Sequence, residues 1–249
     1  MGTKKYRLTE NHINIGNRIL YQIEALKDFG SVKAGDLGGY IESEKNLSQY
    51  DNAWVYGNAQ VSGDAQVYDN ARVSGDAWVS GDAQVYGNAQ VSGDAQVSGD
   101  AQVYDNARVS GDAWVYDNAR VYGNAWVYDN ARVYDNARVS GDAWVYDNAE
   151  VYDNARVSGD ARVSGDAEVK SREDYIVFKN WWSSARYFTW TRSNDMWKVG
   201  CFYGTGEELI KKAYNDSEIS GREYERIVRY VESILADEKR KENEPIGIK

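Results

Sequence analysis

From Ala53 to Val169 the apolar and polar positions follow a six-residue cycle that never slips. Alanine recurs at every sixth position from Ala53 to Ala167 and valine at every sixth from Val55 to Val169, giving twenty copies of A-x-V-[Y/S]-[G/D]-[N/D]. Alanine and valine two apart, with a variable residue between them, is strand alternation in which the small residues face in and x faces out. The next three residues, such as Tyr68-Asp-Asn or Ser74-Gly-Asp, read as a corner, because Gly, Asn and Asp tolerate the backbone angles of tight turns. One short strand per corner predicts a triangular parallel coil of three hexapeptides, about 18 residues to the turn. The fold class is mainly β, a single-stranded parallel β-helix carrying a small C-terminal α+β domain.

The flanks break this rhythm. Lys5-Tyr-Arg-Leu-Thr and Arg18-Ile-Leu-Tyr-Gln-Ile-Glu-Ala-Leu read as strands. Asp28-Phe-Gly and Ala34-Gly-Asp-Leu-Gly-Gly read as turns. Ile41, Leu47 and Ala53 are six apart, Tyr50-Asp-Asn is a complete repeat ending, and Gln49 stands where valine is expected. Residues from about Val32 therefore form an atypical first coil, the cap that a solenoid needs over its exposed end. After Lys170, strands are expected at Tyr175–Phe178, Ala185–Thr191 and Met196–Tyr203, with a turn at Ser193-Asn-Asp. Thr205–Glu208 and Ser220–Glu223 are capping boxes. They open a short helix near Glu207–Asn215 and a longer one with Tyr224, Ile227, Val228, Val231, Ile234 and Leu235 on one stripe. The charged tail from Ala236 is expected to fray. The expected divisions are 1–52, 53–169, 170–235 and 236–249; the third is large enough to cap the prism or stand alone.

Taking every third repeat gives three outer faces. The first carries Trp54, Arg72, Gln90, Arg108, Trp126, Trp144 and Arg162, and the second Gln60, Trp78, Gln96, Trp114, Arg132, Glu150 and Glu168. The third carries Gln66, Gln84 and Gln102, then Arg120, Arg138 and Arg156, with Tyr68, Tyr86, Tyr104 and Tyr122 beside it. Three sets of side chains are candidate interaction residues: Arg120, Arg138 and Arg156; Trp126 and Trp144; and Trp181 and Trp182 further on. Each has a structural reading as well. Asp117, Asp135 and Asp153 lie three residues before the arginines, so ion pairing with these corner acids is favoured over a binding stripe. Trp126 over Trp144, and Tyr128 over Tyr146, would be stacked cross-strand pairs; an interface of aromatics is the equal alternative. Trp181, Trp182, Trp190 and Trp197 suit core and docking duty more than base stacking.

Charge narrows the partners. The repeat holds sixteen Asp and two Glu against seven Arg and no Lys, a balance of −11 out of the chain's −10, so the remainder carries about +1. Such a surface should repel nucleic acid, which is bound by Lys and Arg. Sixteen of the nineteen complete corners keep an Asp. These columns read first as a solvated edge that discourages aggregation, and otherwise as phosphate mimicry or cation binding. The lone histidine, His12, sits in Glu-Asn-His-Ile-Asn and reads as a surface or cap residue, not a general base. The lone cysteine, Cys201, forbids a disulfide within the chain and reads as buried filling. No apolar run reaches the ~18 residues of a membrane span, and Met1–Glu10 lacks a signal peptide's apolar middle. A soluble protein of the bacterial cytosol is expected.

The motifs V-x-G-D-A-x and V-x-D-N-A-x resemble the hexapeptide-repeat family. That resemblance implies a left-handed β-helix. The best-known members transfer acyl groups from coenzyme A or acyl carrier protein, using a histidine in or beside the coils and a loop that interrupts the repeat. Residues 53–169 have no His, Cys, Lys or insertion. The flanks Leu20-Tyr-Gln-Ile, Asp28-Phe-Gly-Ser-Val-Lys-Ala-Gly-Asp-Leu-Gly-Gly-Tyr-Ile and Val199-Gly-Cys-Phe-Tyr-Gly-Thr-Gly-Glu-Glu-Leu are similar to uncharacterised phage and prophage members of the family. Val199 replaces a cysteine common there. The expectation is then a non-catalytic scaffold without cofactor or metal, presenting a C-terminal module to a protein partner. The alternatives are an acidic decoy that inhibits host defence or nucleic-acid enzymes, and an unusual acyltransferase. Trimers are frequent in the family, which leaves a homo-oligomer open.

Overall fold

The computed structural model describes residues 4–243; the last six residues of the expected tail and Met1–Thr3 lie outside them. The chain divides into two compact units, Met1–Ile176 with Thr191–Asn194, and Val177–Trp190 with Asp195–Lys249.

The first unit opens on β1 (Tyr6–Ile15), β2 (Arg18–Ala25) and β3 (Leu37–Ile41). Twenty two-residue strands follow, from β4 (Trp54–Val55) to β23 (Glu168–Val169), one every six residues. They stack into three parallel sheets of repeat strands, each strand paired in register with the one 18 residues on, as Gln102 is with Arg120 and Val103 with Val121. Backbone bonds such as Gln84 N to Ala101 O, 2.9 Å, run up every face. Each alanine and valine of the cycle is fully buried. The parallel three-faced solenoid and the α+β unit beyond it stand as the sequence leads one to expect.

The corners explain the alternation of Gly and Asp. The fifth residue of each repeat has positive φ, 72° at Gly75 and 57° at Asp69. Several Asp carboxylates at this position bond to the coil above: Asp69 Oδ2 accepts from Gly87 N at 3.1 Å, and Asp147 Oδ2 from Gly165 N at 3.0 Å. The sixth residue builds amide ladders, as in Asn70 to Asn88 to Asn106 to Asn124 to Asp142. Much of the acidic edge is thus tied into the scaffold.

The N-terminal cap departs from the expected phase. Ile41 pairs with Val61 and Leu47 bridges Val67, both 20 residues apart instead of 18. Two extra residues enter the corner before Asn52, so Leu47, not Gln49, fills the valine seat. Gln49 turns outward and its Oε1 accepts from Lys5 N at 2.8 Å. Ala34–Gly39, expected as a turn, runs into β3, because any Cβ at Gly38 would meet Ile23 and the Val55 carbonyl at 2.6 Å. His12 lies exposed in β1. Tyr6 and Phe29 meet Trp54 edge-on, closing the bore.

Lys5 is buried in this plug, its Nζ donating to Ala53 O at 2.8 Å and Tyr50 O at 3.1 Å. Burial pulls its pKa from 10.5 down to about 8. Between those values the folded chain holds fewer protons than the unfolded chain, so stability should rise with pH there, at up to ~1.4 kcal/mol per pH unit. Tyr68, which burial pushes up to about 12, acts oppositely: the unfolded tyrosine ionises from pH 10, so stability should fall above it. Urea denaturation across pH 7.5–11 should show a maximum near pH 9–10, and Lys5→Met should remove the rising limb.

After the solenoid β24 (Tyr175–Lys179), β25 (Tyr187–Thr191), β26 (Met196–Val199) and β27 (Phe202–Gly204) form a four-stranded sheet in chain order, whose residues other than Tyr175, Ile176 and Thr191 belong to the second unit. The expected long third strand is a hairpin, turning at Gly200 with φ 57°. That turn exposes Cys201, correcting its reading as core. α1 (Gly206–Asp216) starts at the expected Thr205–Glu208 box, where Glu208 Oε2 accepts from Thr205 N at 2.9 Å. α2 (Glu218–Asn243) begins earlier than the Ser220 box, with Ser217 Oγ accepting from Ser220 N, and it continues through 236–243 where fraying was expected. Phe188, Trp190, Trp197, Leu209, Val228 and Val231 form the core.

Candidate binding face of the solenoid

The third face brings the arginines into one column. Arg120, Arg138 and Arg156 sit on three successive strands, paired in register. Neighbouring strands are about 4.8 Å apart, and like charges directly opposite one another are destabilising. Among the described residues no carboxylate lies within ion-pair distance of any of the three. The expected pairing with Asp117, Asp135 and Asp153 is therefore corrected. Those aspartates occupy the positive-φ corner position, with φ 55–56°, and the carboxylate of Asp135 turns to the next coil, where its Oδ2 accepts from Asp153 N at 3.3 Å.

Three of the four arginines on the other faces are engaged, Arg72 being the exception. Arg108 lies over Trp126 at 4.9 Å, Arg162 over Trp144 at 4.3 Å and Arg132 over Trp114 at 5.5 Å, and Arg132 also reaches Glu150 at 3.5 Å. Trp126 and Trp144 stack at 5.1 Å between the two first-face guanidiniums. They form a cross-strand ladder on a different face from the arginine column.

The tyrosines beside the column stack as well. Tyr68, Tyr86, Tyr104 and Tyr122 follow one another at 4.9, 4.9 and 5.0 Å, within 4° of parallel. Burial pushes the hydroxyls of Tyr86 and Tyr104 above their ordinary pKa, so these rings stay neutral beside the arginines. The ring column stops at Tyr122, because Ser140 and Ser158 occupy the next two corners. Beyond them Tyr175 closes the space, its hydroxyl donating to Arg156 O at 2.9 Å and accepting from Ser158 N at 3.3 Å. The resulting hollow of about 410 Å³ is lined by Tyr122, Arg138, Ser140, Arg156, Ser158, Arg172 and Tyr175. Arg172, Tyr175 and the two serines were missed in the sequence. The interruption of tyrosine by serine at every eighteenth residue was the available signal.

The remaining candidates lie elsewhere. Trp181 is 73% exposed in the second unit. Trp182 is half-buried, edge-on to Tyr224 at 4.9 Å, with an indole nitrogen that is buried without a hydrogen-bond partner. His12 Nδ1 lies 3.0 Å from Glu10 O. At least five coils, roughly 24 Å at strand spacing, separate it from Arg138, so it cannot reach a ligand held there by the same chain. Among the described residues there is no group of three or more His, Cys, Asp or Glu placed to hold a metal ion, and no helix is long and apolar enough to cross a membrane.

Comparison with known proteins adds two findings. The family described as the YdcK beta solenoid repeat matches residues 65–81, 83–100, 101–117, 113–129, 131–147, 149–165 and 155–169. An Escherichia coli (strain K12) protein named an uncharacterized acetyltransferase, YdcK, is 35% identical over 79 residues, which covers 26% of this chain and 24% of that protein. This chain thus spans about a quarter of its relative's length. The relative's name overturns the expectation of a non-enzyme. The absence of histidine from residues 53–169 excludes only an imidazole within the coils and leaves group transfer open.

Proposed function

With its repeats placed in the repeat β-helix family, we propose that this chain is a group-transfer protein of the acetyltransferase kind, binding an anionic acetyl donor on the third face. The observation that carries this reading is the column of Arg120, Arg138 and Arg156, whose guanidiniums meet no carboxylate among the described residues. Arg is suited to phosphate because its planar fork makes paired, charge-assisted bonds. The name of the Escherichia coli relative supplies the acetyl group.

The test is thiol release from acetyl-coenzyme A in the presence of amine and hydroxyl acceptors. Arg138→Gln/Arg156→Gln should raise KM for the donor at least tenfold, since bonds to charged groups are worth ~1.5–3 kcal/mol each. Its Tm should not fall, because glutamine already occupies this ladder at Gln66, Gln84 and Gln102. Absence of both turnover and donor binding in the unsubstituted chain would remove the proposal. A protein-docking role for the second unit is a separate reading, favoured by the exposure of Trp181. Trp181→Ala should then lose, at constant salt, a partner that the unsubstituted chain retains.

A further inference from the structure

We infer that the hollow below Tyr122 seats a planar aromatic ring whose attached phosphates lie across Arg138, Arg156 and Arg172, so that the ligand is a nucleoside phosphate or a molecule ending in one. This rests on the anion-binding reading above and specifies its ligand. Four tyrosine rings repeat at 4.9–5.0 Å and nearly parallel, and Ser140 and Ser158 then leave two successive ring positions vacant. Tyr122 therefore stacks on Tyr104 through one face, and its other face borders the hollow. A base inserted there continues an existing column at the spacing the solenoid already sets, and stacking on tyrosine is open to any base because every base has a π-face. Tyr175 is fixed by two hydrogen bonds to the backbone of Arg156 and Ser158, which makes the far wall rigid. The three guanidiniums of Arg138, Arg156 and Arg172 border the same hollow, and among the described residues none has a carboxylate partner within ion-pair distance. Ring and phosphate are thus met side by side, with two vacant ring seats between Tyr122 and Tyr175.

Isothermal titration of the full chain with ADP, coenzyme A, inorganic pyrophosphate and adenosine tests this, with Ser140→Tyr as the variant. That substitution places a protein ring in the vacant seat and lengthens a column the fold already builds, so it should leave Tm unchanged or higher. ADP should bind at least tenfold more tightly than pyrophosphate and than adenosine. Ser140→Tyr should weaken ADP at least tenfold and leave pyrophosphate within twofold. Binding of both ADP and coenzyme A supports the ring seat and points to a donor with a nucleotide end; binding of ADP alone supports it and points to a free nucleotide. Pyrophosphate binding as tightly as ADP, or Ser140→Tyr binding ADP as well as the unsubstituted chain, would overturn the ring seat while leaving the anionic face in place. Absence of binding by ADP, coenzyme A and pyrophosphate alike would overturn both.

Discussion

Ala137→Asp is expected to lower the stability of the solenoid by at least ~3–5 kcal/mol, the range for a buried charge left without a partner. Ala137 is fully buried, and every inward residue of the cycle around it is alanine or valine. The neighbouring backbone groups are already paired: Ala137 N donates to Tyr134 O, and Ala137 O accepts from Arg120 N. A carboxylate there would find no donor. The bore has no room to admit water either, since the core of each coil is three valines and three alanines. Val139→Phe, an overpacking change at an equally buried position, should cost less, ~1–3 kcal/mol. Urea denaturation followed by far-ultraviolet circular dichroism reads both. An Ala137→Asp chain with an unshifted midpoint would mean that the interior is not the dry, valine-filled bore described.

Gly99→Val should be the second most damaging change, at ~2–4 kcal/mol, and its informative control is Gly99→Asp. Gly99 holds φ at 67°, where a β-branched residue is a genuine outlier and strain costs of order 1–3 kcal/mol. A Cβ there would also come within 2.8 Å of Asp117 N, and valine has nothing to offer that amide. Aspartate does. In this corner column Asp135 and Asp153 carry φ 56°, and Asp135 meets the approaching amide with its carboxylate. Gly99→Asp should therefore stay within ~1 kcal/mol of the unsubstituted chain. Equal losses for the two variants would show that side-chain bulk, not corner conformation, decides which residues this position accepts.

The period, the three faces and the buried set were all legible, because Ala-x-Val followed by a corner triplet allows one arrangement at each position. The stacked tyrosines and Trp126 over Trp144 followed from reading every eighteenth residue. What failed was information that spacing does not contain. Ile41, Leu47 and Ala53 are six apart by coincidence, which hid the two-residue insertion in the first coil. Asp135 is near Arg138 in sequence, but its positive φ turns the carboxylate towards the next coil, so proximity along the chain misled. Cys201 looked like a strand residue until Gly200 turned the chain before it. The hollow at Arg138 and Arg156 needed two facts at once, the serine interruption of the tyrosine column and the return of Tyr175 onto the same face. The acidic total was likewise a poor guide to local charge, because several corner carboxylates serve backbone amides and the exposed column on the third face is arginine.

The most direct test is titration of acetyl-coenzyme A into the full chain and into Arg120→Gln/Arg138→Gln/Arg156→Gln, at low and moderate salt. The expected result is binding that weakens as salt rises and is at least tenfold weaker in the triple variant, whose Tm equals or exceeds that of the unsubstituted chain. Equal affinity in the two proteins, or no heat of binding in either, would contradict a donor-binding face built on that column.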